Sequence, residues 1–381
     1  MSNGGVPVDL TIAIVNFNTD ILLRECLSSI EEHCGRLSIE AIVVDNASTD
    51  GSADCVPLFP WARLVVNRDN VGFAMANNQA LRQARGRLIL LLNPDTLVLP
   101  GMLPSMSTLL DSRQEFGAIC PRTYLDKERR LEVCSLKIPT PANSLLLHTP
   151  LWRWLPRNKE LERIWRLDME LWRVNSGTYD VDGIGGACFM LRREVMDRIG
   201  PLDERFYMGY EDTDWSLKVR RLGLRVAILT DAELIHYFGQ SKRKVAAAEL
   251  PIAKWRKGLL PFLRVHYSPW RTGGFVIARS LADMGGALRR LWPNGTLMAA
   301  GEEPETVRLT WESGDDGNWL LEISNSPVFF DKFGVRVHGR DFEINRDVRR
   351  RLASGAYWWR LYPRDGYDLR HPRSSGIFHI S

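Results

Sequence analysis

Four short apolar runs in the first hundred residues each stop in a polar turn. Val8–Val15 ends in Asn16-Phe17-Asn18-Thr19, and Ile39–Val44 ends in Asp45-Asn46-Ala47-Ser48. Arg63–Val66 leads into Asn67–Phe73, and Arg87–Leu92 leads into Asn93-Pro94-Asp95-Thr96. Short apolar runs bounded by turn residues are expected as strands buried on both faces of a parallel sheet, here Val8–Val15, Ile39–Val44 and Arg87–Leu92, with Arg63–Val66 as a short third strand. Between them, Asp20–His33 and Met75–Ala84 carry apolar residues at helical spacing, with Asp20 as a candidate cap. Pro94 cannot donate to a sheet ladder, so the fourth strand should end there. This alternation predicts an α/β chain with a Rossmann-like, mostly parallel sheet. Open sheets of that kind bind ligands beyond the carboxyl ends of their strands. Asn16, Asp45, Asn70 and Asp95 should therefore share one edge. Taken alone, Asp95 also fits a structural aspartate in a tight turn.

Further along, Gly117–Val181 has no clear period. It holds Trp152, Trp154, Trp165 and Trp172 with Arg and Lys between them. Buried aromatic packing and a nucleic-acid or membrane-surface contact are both compatible with that composition. Val181–Arg192 is a glycine-rich turn entering an apolar strand, followed by a short helix at Glu194–Ile199. Ser216–Leu222 is helical and stops at Gly223, and Arg225–Leu229 is a strand leading to His236. Pro251–Trp292 is helical, with Trp255, Leu259, Phe262 and Leu263 interleaved with Lys254, Arg256, Lys257 and Arg264. Such helices either lie on a membrane interface or pack on the preceding domain. Pro293-Asn294-Gly295 and Gly301–Glu305 read as a linker. Beyond it the period becomes two, with strands expected at Val307–Trp311, Trp319–Ile323, Phe333–Val337 and Ala356–Leu361. About eighty residues of short strands with buried Trp predict a small β-sandwich. Leu309-Thr310-Trp311 and Gly355–Arg360 resemble the core strands of a fibronectin type III or immunoglobulin-like domain.

Composition narrows the function classes. The 381 residues carry a net charge of only +4, which gives no support to nucleic-acid binding. No run of eighteen uncharged apolar residues occurs, so no bilayer-spanning helix is expected. The six cysteines lack paired or zinc-like spacing and read as buried thiols of a reducing compartment. The short polar start lacks the regions of a signal peptide, which predicts a cytoplasmic protein, with peripheral contact at the inner membrane face left open. The expected division is 1–245 for the α/β domain, 246–300 for a helical segment and linker, and 301–381 for the sandwich.

The polar strand ends form an ordered set. Ala13–Asn18, Val43–Ser52, Asn67–Ala74, Leu92–Thr96 and Tyr210-Glu211-Asp212-Thr213-Asp214-Trp215 together resemble a family 2 glycosyltransferase of the GT-A fold. Within it they are similar to the rhamnosyltransferase-like branch that builds bacterial surface polysaccharides. The resemblance covers about Val8–Ser241. It implies inverting, metal-assisted transfer of a sugar from a nucleotide-sugar to a hydroxyl of a cell-surface glycan or lipid-linked acceptor. It further implies dTDP-L-rhamnose as donor, with UDP-hexoses as the alternative. The donor pocket would be formed by Asn16, Asp45, Asn70, Gly72, Asn93, Asp95 and Gly186. Asp95 and His236 would hold a divalent cation, Mg²⁺ or Mn²⁺, that takes up charge on the leaving diphosphate. Asn93 replaces the first carboxylate of the family's Asp-x-Asp motif. Asp212, beside Glu211, would be the general base. Four of these residues also have a structural reading: Asp45 as a turn residue, Glu211 and Asp212 as partners of a helix dipole, and His236 as a core histidine.

Three rival classes follow. One is this transferase, and the second is a non-catalytic nucleotide- and glycan-binding protein. The third is a nucleotidyltransferase, against which stands the lack of a glycine-rich, basic phosphate loop at the first strand end. The Gln-x-x-Arg-Trp motif of processive synthases is also missing, which predicts addition of one or a few sugars.

Overall fold

A computed structural model describes residues 7–19, 21–148, 159–206, 209–237, 251–284, 306–311, 317–325, 332–352, 355–364 and 372–380. The expected cap Asp20, the aromatic residues Trp152 and Trp154, and the linkers at 293–295 and 301–305 lie outside these residues. Two compact units result. Met1–Tyr124, Ser135–Ile138 and Asn175–Phe262 form the first, and Leu125–Cys134, Pro139–Val174 and Leu263–Ser381 the second.

In chain order the elements begin with β1 (Leu10–Asn16), α1 (Leu22–His33), β2 (Ile39–Asp45), β3 (Ala62–Val66) and α2 (Phe73–Leu81). Next come β4 (Leu88–Leu92), β5 (Thr96–Val98), α3 (Met102–Ser112), β6 (Phe116–Tyr124), β7 (Glu132–Val133), α4 (Pro141–His148) and α5 (Lys159–Leu171). They are followed by β8 (Thr178–Asp180), β9 (Cys188–Arg192), α6 (Arg193–Ile199), α7 (Glu211–Arg221), β10 (Arg225–His236), α8 (Pro251–His266) and α9 (Pro269–Met284). The chain ends with β11 (Val307–Thr310), β12 (Asn318–Ser324), β13 (Lys332–His338), β14 (Asp341–Ile344), α10 (Arg346–Arg351), β15 (Gly355–Pro363) and β16 (Ser374–Ile380).

The first unit is built on a sheet of order β3-β2-β1-β4-β9-β6-β10. Its strands are parallel except β9, which runs against both β4 and β6. The expected mostly parallel α/β sheet is therefore present. Every residue of β1 and β4 is buried, as their unbroken apolar runs require. Helix α1 buries Leu23, Cys26, Leu27 and Ile30, the stripe of one helical face. Gly86 precedes β4 because a Cβ there would stand 2.4 Å from the Thr11 backbone nitrogen. Register aligns the functional edge: Asn16 pairs with Asp45, and Ile14 with Leu92, one residue before Asn93.

Strand β6 was not legible in the sequence. All but one of its residues are buried, yet Pro121 and Arg122 interrupt its apolar run. Pro121 is tolerated in this interior strand because it pairs with Leu229, where β10 shifts register. Of the six cysteines, Cys26, Cys55, Cys120 and Cys188 are buried; Cys34 and Cys134 are only half-buried.

In the second unit, β13-β12-β15-β16 form an antiparallel sheet, and β7 extends it at β13. A separate ladder joins β11 and β14. Leu309, Trp311, Leu321, Ile323, Val335, Phe342, Trp359 and Leu361 share one core. Helix α5 and the residue after it lie on β12 and β13. There, Lys332 Nζ sits 3.6 Å from Asp168 Oδ2, also pairs with Glu322, and lies 5.3 Å from the Trp172 ring centre. Trp172 fits because position 334 is glycine; a Cβ there would come within 2.2 Å of the ring. Trp165 stacks on Arg360 at 5.1 Å. The described tryptophans of this stretch are thus packed within the unit.

Candidate functional site

The carboxyl ends of β1 and β2 are tied by one amide. Asn16 Nδ2 lies 2.7 Å from Asp45 Oδ1, 2.8 Å from Ser52 Oγ and 3.1 Å from Ser48 Oγ. Thr19 Oγ1 donates to Asn16 Oδ1 at 2.5 Å, and the Ser48 N–H donates to Asp45 Oδ2 at 3.1 Å. Asn16 and Asp45 are buried, so this network fixes them as a rigid floor. Asn46 is the hub of the next loop. Its Nδ2 donates to Asn70 Oδ1 at 3.0 Å, and its Oδ1 accepts from the Val71 N–H and from Asn67 Nδ2, both at 3.1 Å. The Gly72 N–H closes the turn on Asn70 Oδ1 at 3.0 Å, and φ +90° at Gly72 starts α2. Arg68 and Asp69 are exposed.

At the end of β4, Asp95 and His236 meet. His236 Nε2 is 3.2 Å from Asp95 Oδ1 and 3.4 Å from Asn93 Nδ2. Both Asp95 and His236 are buried, and strand pairing holds them: His236 opposes Thr96, and the Tyr237 N–H donates to the Asp95 carbonyl at 2.9 Å. A carboxylate oxygen and an imidazole nitrogen thus converge, a donor set suited to a first-row divalent cation. Among the described residues no cluster of three His, Cys, Asp or Glu forms a complete cation cage.

The third part of the site is the start of α7. Tyr210 precedes it with φ +78°, a strained geometry for a bulky residue. Its ring packs on Phe262 with centroids 5.6 Å apart, and Gly258 leaves room, since a Cβ there would lie 2.5 Å from Tyr210 Cδ2. The turn presents Glu211 and Asp212. Asp212 Oδ2 accepts the Gly186 N–H at 2.8 Å, and Oδ1 accepts the Thr213 N–H at 2.6 Å. Burial raises the Asp212 pKa, while these hydrogen bonds favour the charged form and oppose the rise. Glu211 is pushed well above the usual carboxylate range, first by burial and then by the charge of Asp212. Trp215 anchors the helix edge-on to Phe189 at 5.7 Å.

These parts are linked through backbone. The Asn93 N–H donates to the Ala187 carbonyl at 2.9 Å, and the adjacent Gly186 N–H holds Asp212. A Cβ at Gly186 would stand 3.4 Å from Phe73 Cε1 and 3.6 Å from Asp212 Oδ2. The turns holding Asn93, Gly186, Asp212 and Phe73 therefore meet, and the floor of Asn16 and Asp45 lies on the same strand edge. Asn46, Ser52 and Thr19 complete the network without having been singled out as site residues. Their signal was the run of side-chain amides and hydroxyls following each strand.

Residues 11–200 match Glycosyl transferase family 2. The N-acetylglucosaminyl-diphospho-decaprenol L-rhamnosyltransferase of Mycobacterium tuberculosis (strain ATCC 25618 / H37Rv) is 25% identical over 277 residues, covering 68% of this chain and 86% of that protein. The dTDP-rhamnosyl transferase RfbF of Shigella flexneri is 22% identical over 245 residues, covering 63% and 72% respectively. Among solved structures, the Pyrobaculum calidifontis mannosyltransferase in complex with GDP-Man and Mn²⁺ aligns with a TM-score of 0.41 and 18% identity, over 74% of this chain and 81% of that one. The chain carries a family 2 glycosyltransferase domain on a GT-A sheet, and it is a glycosyltransferase.

Proposed function

We propose that the protein transfers L-rhamnose from dTDP-rhamnose, with inversion, to a hydroxyl of a bacterial cell-surface glycan or a lipid-linked sugar. The observation that carries the chemistry is the Asp212 carboxylate, held by Gly186 and Thr213 beside the glycine-rich turn. The donor and acceptor reading is supported by the rhamnosyltransferase relatives. Asn16, Asp45, Asn70 and Gly72 form the nucleotide side of the pocket. Asn93, Asp95 and His236 face the diphosphate, and Asp95 and His236 would hold a Mg²⁺ or Mn²⁺ ion. When bound, that ion supplies Lewis-acid stabilisation of the charge on the departing diphosphate. Among the described residues Asp95 and His236 are the donors that would hold it, a sparse set that suits an ion bound together with substrate phosphates.

In the transfer, the acceptor oxygen attacks the anomeric carbon as the bond to the diphosphate oxygen breaks. Asp212 takes the hydroxyl proton, and nucleoside diphosphate leaves. Burial raises the Asp212 pKa, which makes its carboxylate a stronger base for that proton. Gly185 and Gly186 leave space for a sugar against the backbone. The C-terminal β unit is read as a fibronectin type III-like module, supported by the β11–β14 ladder and the β13-β12-β15-β16 sheet. A lipid-linked acceptor places the enzyme at a bilayer surface, with 252–292 as the candidate contact. The test is nucleotide release from a panel of dTDP-, UDP- and GDP-sugars with Mg²⁺ or Mn²⁺. dTDP-rhamnose should be consumed fastest, and a clear preference for another donor would replace it.

A further inference from the structure

We infer that the α8–α9 turn and the outer face of α9 form a docking surface for an anionic lipid bilayer. This rests on the proposed membrane contact and deepens it by naming the residues that make it. Ten large hydrophobic residues are exposed among those described, and four of them, Val265, Trp270, Val276 and Ile277, lie within thirteen positions. Trp270 is 90% exposed and Ile277 is 64% exposed. Seven residues apart on α9, they share one helical face, with Gly273 and Gly274 between them. The opposite face is already satisfied inside its own unit: Phe275 is buried, and Thr272 Oγ1 donates to the Leu263 carbonyl at 3.2 Å. The exposed stripe therefore has no packing role within that unit.

Charge chooses the occupant. Arg264 and Arg271 are exposed beside the stripe. Over 251–284 the sequence carries six Lys and Arg residues against one acid, Asp283. A second copy docking across a two-fold axis would set these arginines against their own kind. An anionic surface pairs with them, and a tryptophan beside them suits the headgroup boundary, where an amphipathic ring is at home. Among the described residues no helix is long and apolar enough to cross a membrane, so the contact would be peripheral.

The test is co-sedimentation of the full chain with phosphatidylcholine vesicles, with and without phosphatidylglycerol. The native chain should bind the anionic vesicles, ignore the neutral ones, and be released by about 0.5 M NaCl. Arg264→Gln with Arg271→Gln should weaken binding roughly 30-fold, and Trp270→Ser with Ile277→Ser should abolish retention. Because these side chains are exposed, melting temperature and vesicle-free donor hydrolysis should match the native chain. Equal binding by all variants, no binding by the native chain, or a dimer dissolved by Trp270→Ser would each overturn the inference. Donor hydrolysis is scored separately, so a failed donor assignment leaves the vesicle result readable.

Discussion

Lys332 is the most exposing place to disturb the second unit. Its ammonium is fully buried against Asp168 and Glu322, themselves no more than 1% exposed, and against the Trp172 ring. Replacing it with Met keeps much of the volume but removes the ammonium that both buried carboxylates contact. Breaking a buried pair in this way costs about 3–5 kcal/mol. For a folding unit of this size that corresponds to a fall in melting temperature of roughly 6–20 °C. Combining Lys332→Met with Asp168→Leu and Glu322→Met removes these three charges together and should recover most of the loss, since an apolar replacement of an ion cluster is often neutral. Thermal and urea melts followed by circular dichroism give both numbers. A single variant that melts with the native chain, or a triple variant worse than the single, would refute the buried-cluster argument.

Other consequences concern the site. Asp95→Ala and His236→Ala should each weaken Mn²⁺ binding in the presence of nucleoside diphosphate by at least tenfold, read by calorimetry; unchanged binding removes that residue from the cation site. Glu211 ionises at higher pH in the folded protein than in the unfolded chain. Its contribution to stability is complete below the ordinary carboxylate range and is lost as pH rises through the raised folded value. Glu211→Gln should therefore gain in melting temperature relative to the native chain as pH increases, and a difference constant with pH contradicts the assignment. Asn46→Ala removes the side-chain acceptor of the Val71 N–H and the amide that donates to Asn70 Oδ1. It should cost about 1–3 kcal/mol and raise the donor KM more than it lowers kcat; the reverse split would place Asn46 elsewhere in the reaction.

Much of the first unit could be read from the chain because parallel strands buried on both faces appear as unbroken apolar runs. Leu88–Leu92 is the plainest case, and the polar residue after each run marked the strand edge that carries the candidate site. Strand β6 escaped because Pro121 interrupts it, and its permission to be there comes from a register shift in β10, a tertiary fact. Strands β14 and β16 escaped because Asp341–Ile344 is short and Ser374–Ile380 alternates around small polar residues. The meeting of Asp95 with His236 depends on β5 pairing with β10 across well over a hundred residues, which no local pattern encodes. The motif order nevertheless put both residues forward. By contrast, the hub role of Asn46 required coordinates, because an Asn in a turn looks the same whether it holds one partner or four.

The most direct test is the Asp212→Asn enzyme assayed with its donor. Calorimetry should find nucleotide-sugar affinity close to that of the native protein, since Asp212 contacts Gly186 and Thr213 while the proposed nucleotide side of the pocket is the separate Asn16–Asp45 network. Nucleotide release under saturating donor should fall by roughly 10²–10⁴-fold, the share general-base catalysis commonly supplies. Donor binding retained with turnover lost is the predicted result. Native turnover by the Asp212→Asn protein, with its fold intact, would contradict the assignment of this carboxylate as the base that activates the acceptor.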